Sequence, residues 1–139
     1  MIQFISGEKG KGKTKILLDK VNADVNTVKG SIVYLDKNKK HMYELSNKVR
    51  LIDVYDYLVE NSSEFIGFIC GIISQDHDLE KVYIDSFLKV SFVNDDNLES
   101  ICEKLEVISS KFNVDFVISI SAESASLPET IKKNTIVAL

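Results

Sequence analysis

Apolar residues along the chain of 139 residues fall into two rhythms, short unbroken runs and stripes three or four apart, and the two alternate. "MIQFIS" (residues 1–6) is a short apolar run that stops at Gly7, the pattern of a buried strand ending in a turn. From Lys13 the spacing of Ile16, Leu17, Lys20 and Val21 predicts a helix with its apolar positions on one side. A loop rich in Asn and Asp leads to "SIVYLD" (Ser31–Asp36), a β-branched strand. Strand, helix and strand joined by a crossover of this length imply parallel pairing. "KVRLID" (Lys48–Asp53) predicts a third strand, and the stretch from Tyr55 to Asn61 a return to helix. Phe65, Phe68, Ile69 and Ile72 keep helical spacing, and Gly67 and Gly71, four apart, predict a helix packed closely on the sheet.

"KVYIDSF" (Lys81–Phe87) is a further strand with a carboxylate near its end. The cleanest stripe follows, Leu98, Ile101, Cys102, Leu105, Ile108 and Phe112, with Asp95 or Asp96 placed to cap the helix start. "VDFVISISA" (Val114–Ala122) is almost continuously apolar, as a strand covered on both faces should be. Pro128 opens a short helix ending near Asn134, and "TIVAL" closes the chain as a last strand. The class is therefore α/β, in a single domain spanning residues 1–139, with neither repeat nor low-complexity linker.

Composition narrows the function more by exclusion than by suggestion. With 45% hydrophobic and 27% charged residues the chain reads as globular and able to bury a core without disulfides. A net charge of −4 argues against nucleic acid as a partner and against adhesion to anionic membranes. Cys70 and Cys102 both lie in apolar segments and read as small buried hydrophobes of a reducing compartment. The opening residues lack the charged and long apolar regions of a secretory signal, and "FIGFICGII" is too short to span a bilayer, so the expectation is a cytoplasmic protein.

Against that acidic background, glycine and lysine crowd one short segment. Gly7-Glu8-Lys9-Gly10-Lys11-Gly12-Lys13-Thr14 matches G-x-x-x-x-G-K-[ST] at every position, between a predicted strand and a predicted helix. The glycines let the backbone curl so that successive N–H groups face one concavity, where phosphate oxygens can sit. Lys13 reaches the β- and γ-phosphates, and the Thr14 hydroxyl ligates Mg²⁺. The remaining contact to the metal calls for a carboxylate at the end of a neighbouring parallel strand. Asp85 ends "VYID" in the manner of a Walker B strand, and Asp36, ending "IVYLD", competes for that role or else holds the attacking water. Nucleotide, with ATP and Mg²⁺ as the pair of cofactors, is the ligand class.

With these motifs the chain resembles the RecA-like branch of the P-loop NTPases, which includes RecA and KaiC. The resemblance runs from the phosphate loop through "IVYLD", "VYIDS" and the amphipathic helix of residues 97–112 to "DFVISIS". It implies a three-layer α/β/α domain whose mainly parallel core sheet has five strands in the order 5-1-4-3-2, with nucleotide outside the strand carboxyl ends. It also implies that Ser119 or Ser121 senses the γ-phosphate, Ser121 being the better placed. Two departures bear on turnover. "DKNKKH" follows the second strand where the branch carries a catalytic Glu, and Arg50 is the only arginine in the chain to act as a finger. Slow or partner-activated hydrolysis is thus expected, in a homo-oligomer or beside a larger partner, with a non-hydrolysing sensor as the rival and a small-molecule kinase less favoured. Lys9, Lys11, Lys37, Lys39 and Lys40 ring the crevice or are solvated loop charge; His41 and His77 read as surface histidines, and Tyr43 either stacks on the base or simply packs.

Overall fold

The computed structural model describes residues 1–139, the side chain of Ser124 excepted. Six strands form one sheet: β1 (Ile2–Gly7), β2 (Ser31–Asp36), β3 (Val49–Asp53), β4 (Leu79–Ile84), β5 (Asp115–Ser121) and β6 (Thr135–Ala138). Every neighbouring pair is parallel, and the order across the sheet is β3-β2-β4-β5-β1-β6. The expected five strands become six because β3 adds to the free edge of β2, pairing Ile32 with Val49 through to Asp36 with Asp53. With β3 set aside and the others renumbered along the chain, the order is 5-1-4-3-2.

Helices cover both faces, and the period-two alternation of the strands sorts their side chains between two cores. On one face α1 (Lys13–Asp24) packs Leu17, Leu18 and Val21 against Ile5, Ile32, Tyr34, Tyr83 and Val117. On the other, α2 (Ser62–Ser74) and α4 (Leu98–Phe112) bury Phe65, Ile69, Ile101 and Leu105 against Phe4, Val33, Val82 and Phe116. The short helices α3 (Phe87–Val90) and α5 (Glu129–Lys132) add Phe87 and Ile131 to that second core. The same alternation matters for the site. Asp36 is two residues past Tyr34, Asp85 two past Tyr83, and Ser119 and Ser121 two and four past Val117. All four are thereby assigned to the α1 face, at the carboxyl ends of the strands, where the loop between β1 and α1 also lies.

Several local expectations are corrected. Residues 55–61 do not form a helix: a single 3-10 turn, Val54–Tyr57, ends at Leu58 in the left-handed region (φ 61°). The following helix starts only at Ser62, because the Asn61 side chain accepts the Glu64 N–H at 2.8 Å and fixes its start there. Neither Asp95 nor Asp96 caps α4. Asn97 holds that position and turns its carboxamide elsewhere, accepting from the Asn94 N–H at 2.8 Å and donating to the Ser62 hydroxyl at 3.1 Å. Phe87 belongs to α3 and not to the β4 strand. Phe112, placed in the α4 stripe, is exposed, with the Lys111 ammonium over its ring. Cys102 is buried but Cys70 only partly so.

The Gly67 and Gly71 pair is the largest correction. A Cβ built on either would meet nothing within 4 Å, so no neighbour requires the absent side chains. The two glycines lie open along a groove of about 690 Å³ between α2 and the β2–β3 edge. Helical spacing places them on one line but carries no information on whether that line faces the sheet.

Candidate nucleotide site

Over the carboxyl ends of the strands lies a crevice of about 700 Å³, lined on one side by Lys9, Gly10, Gly12, Lys13 and Thr14. Gly10 and Gly12 have φ of 87° and 94°, a backbone region that side-chain-bearing residues rarely adopt, and open space surrounds both. This bend carries the chain from β1 into α1, and Gly12 takes the position immediately before the helix. Gly7 is held by a different constraint: a Cβ there would fall 2.9 Å from Cβ of Leu139. Glu8 and Lys11 belong to the bend but turn out to solvent, and neither lines the crevice. Hydrogen bonding to Glu123 and its charge push the Glu8 carboxyl above the ordinary carboxylate range, which places Glu123 beside the mouth of the loop.

Lys13 is the buried cation of the site. Its side chain donates to the Glu8 carbonyl at 3.0 Å, curling over its own loop. Burial lowers its ammonium below the usual lysine range, and the Asp85 charge opposes that shift. Opposite it, Asp85 sits just beyond β4 and is only 4% exposed. One carboxylate oxygen accepts from the Ser119 hydroxyl at 2.6 Å and the Ser86 N–H at 2.9 Å; the other accepts from the Tyr34 hydroxyl at 2.9 Å. Three donors from three elements thus hold the carboxylate in one orientation, as a positioned anion requires. Tyr34 is driven strongly toward its neutral, donating form, first by burial and then by the Asp85 charge.

Asp36 is also 4% exposed and accepts the Lys37 N–H at 2.7 Å. Burial first, and the neighbouring Asp85 charge second, raise its carboxyl from the ordinary 3.8 to about 6. It does not line the crevice. The two serines are placed differently: Ser119 is buried and engaged with Asp85, whereas Ser121 is exposed and lines the crevice.

The lysine ring is partly as expected. Lys9, Lys37 and Lys40 line the crevice, but Lys11 does not, and Lys39 turns away to pair with Asp56 at 3.7 Å. Tyr43 is 92% exposed and outside the lining. Arg50 is on β3 and borders the α2 groove, away from the crevice. Several site residues escape a reading of the sequence. His41 is on the crevice wall, its ring paired with Glu44; Ser86, Leu88 and Lys89 reach the wall through α3. Tyr34 had a usable signal, since it precedes Asp36 by two and so shares its face; α3 had none, its four residues being too few for a period to register.

No protein-family model and no curated protein matches the chain in sequence. Among solved structures it is similar to the flagellar accessory protein FlaH from Methanocaldococcus jannaschii, with a TM-score of 0.62 and 14% identity over 95% of this chain and 65% of that one. It is likewise similar to the KaiC-like protein PH0186 from Pyrococcus horikoshii OT3, with a TM-score of 0.67 and 15% identity over 95% of this chain and 67% of that one. The chain therefore spans about two thirds of the length of each. At such identities the likeness is one of fold.

Proposed function

We propose that this chain, a RecA-like α/β/α domain, binds a nucleoside triphosphate, ATP before others, together with Mg²⁺, and turns it over slowly or only when a partner completes the site. One observation carries the reading. The glycine bend, the buried Lys13 ammonium and the immobilised Asp85 carboxylate open into a single crevice at the carboxyl ends of a parallel sheet. The donor set fits the group, because the left-handed glycines leave their concavity free of side chains. The amides of Gly7 to Thr14 and the Lys13 ammonium would hold the phosphates, and the Thr14 hydroxyl and Asp85 the metal. When bound, Mg²⁺ neutralises charge that develops on the phosphate oxygens. Tyr34, Ser119 and the Ser86 amide keep Asp85 aimed at that position. Ser121 stands on the crevice wall as a donor to the terminal phosphate. Asp36 is buried and outside the crevice lining, so its part would be electrostatic, through its charge beside Asp85.

Slow turnover follows from what the crevice presents. Asp85 is its one lining carboxylate among the described residues, and with three donors and the metal to hold it is not free to activate water. Glu44, the next acid after β2, is paired with His41. These engaged carboxylates also favour the rival reading, a sensor that binds nucleotide without cleaving it. In either case the setting is the cytoplasm, where ATP and Mg²⁺ are abundant, with further copies of the chain or a larger protein as partner. No described helix is long and apolar enough to cross a membrane.

Calorimetric titration with Mg-ATP, run beside a phosphate-release assay, tests the reading. Lys13→Ala is expected to weaken binding at least tenfold, about 1.4 kcal/mol, with the circular dichroism spectrum unchanged. Equal binding by wild type and Lys13→Ala overturns the site. Firm binding with no phosphate released selects the sensor.

A further inference from the structure

The crevice carries more positive charge than its proposed ligand neutralises. Lys9, Lys13, Lys37, Lys40 and Lys89 line it against the single carboxylate of Asp85, a formal excess of four charges in a chain whose net charge is −4. Magnesium triphosphate brings only about two net negative charges. Some lysines elsewhere in the molecule find carboxylates, Lys15 with Asp19, Lys39 with Asp56 and Lys81 with Asp24. Among the described residues Lys9, Lys37, Lys40 and Lys89 have no such partner. The arrangement brings like charges together. A hydrogen-bonding contact with Lys37, then the charges of Lys37 and Lys9, hold the Lys89 ammonium below the ordinary lysine range.

Their origin in the sheet matters equally. Lys37 and Lys40 follow β2 and Lys89 follows β4, whereas the phosphate loop follows β1 with β5 standing between β1 and β4. At about 4.8 Å per strand, the end of β2 lies about 14 Å to one side of the end of β1. Lys37 and Lys40 therefore start lateral to the glycine cradle, beyond the strand that precedes Asp85, while Lys89 comes from the Asp85 strand itself and meets Lys37.

We infer that Lys37, Lys40 and Lys89, with Lys9 closing the near side, form a second subsite that takes a phosphate group from another ligand beside the bound nucleotide. A phosphate monoester dianion brings about two negative charges, the amount left unmatched once magnesium triphosphate is in place. Lysines suit such a ligand as mobile point charges, and the exposed mouth lets it enter after the nucleotide. This assignment rests on the proposed nucleotide reading for its order of binding, but not for the phosphate site itself.

The experiment uses inorganic phosphate as the probe, followed by ³¹P NMR and calorimetry, with the full chain free or saturated with a non-hydrolysable Mg-ATP analogue. Wild type is expected to bind phosphate in both states. The double variant Lys37→Gln, Lys89→Gln, whose exposed or half-exposed side chains leave both cores untouched, is expected to bind phosphate at least tenfold more weakly. It should bind the analogue within about threefold of wild type. Lys13→Ala should retain the phosphate signal. Glucose 6-phosphate in place of inorganic phosphate separates the sources: equal or tighter binding assigns the subsite to a phosphorylated molecule, and binding of inorganic phosphate alone assigns it to the free anion. Three results overturn the inference: phosphate displaced by the analogue, the double variant losing analogue affinity as Lys13→Ala does, or no lysine-dependent phosphate binding at all. If wild type fails to bind the analogue yet binds phosphate through Lys37 and Lys89, the nucleotide reading falls and the subsite stands.

Discussion

Asp36 and Asp85 are both buried carboxylates at the ends of adjacent strands, and their hydrogen-bond partners differ. Asp85 has three donors; Asp36 has one backbone N–H and an anion for a neighbour. The linkage consequence has a definite sign. Because Asp36 is raised from 3.8 to about 6, the folded state holds its proton more tightly than the unfolded chain does. Its ionisation therefore withdraws stability as pH rises through that interval, with the full cost present above about 6. Asp36→Asn should stabilise the ligand-free protein by about 3 kcal/mol at pH 7 and change little at pH 4, near the unfolded value. Urea unfolding of both proteins at the two pH values measures this, and an equal difference at both would contradict it. The sequence identified these two acids by their place at strand ends. It did not tell their surroundings apart, because Tyr34 and Ser119 reach Asp85 from other strands.

At the scale of elements, α2 shows how a correct period can mislead. Phe65 and Ile69 face the core as their spacing predicts, but Gly67 and Gly71 project into the open groove. Helical glycine costs about 1 kcal/mol relative to alanine where no close approach requires it. Gly71→Ala is therefore expected to raise stability by about 0.5–1 kcal/mol, read as a shift in the urea midpoint at constant slope. A loss of stability would mean that the backbone at Gly71 is packed after all. The site is better anticipated at this scale than α2 is. A strand, a bend and a helix in the order of β1, loop and α1 have one way to connect, so the glycine bend was legible from Gly7 to Thr14. The contribution of α3 was not, since one helical turn has no repeat to detect.

For the whole molecule, ligand binding and folding are linked because the cradle, the α1 face and three strand ends must be assembled together before the crevice exists. Mg-ATP at a hundred times its dissociation constant should add about 2.7 kcal/mol of stability, a rise of a few degrees in Tm. Lys13→Ala should abolish most of that rise, and differential scanning fluorimetry would detect it. An undiminished rise in the variant would place nucleotide elsewhere, with the α2 groove as the first alternative to probe.

The amino-acid order by itself determined the α/β alternation, the parallel pairing, the bend at Gly7 to Thr14 and the carboxylates that end β2 and β4, since these follow from local periodicity and from chain connectivity. The tertiary structure alone decided that β3 extends the sheet edge, that Tyr34 and Ser119 grip Asp85, that Arg50 stands apart from the crevice, and that Lys37, Lys40 and Lys89 all come to line it. Those contacts join residues dozens of positions apart. Their geometry is set by sheet order and twist, which local spacing does not encode.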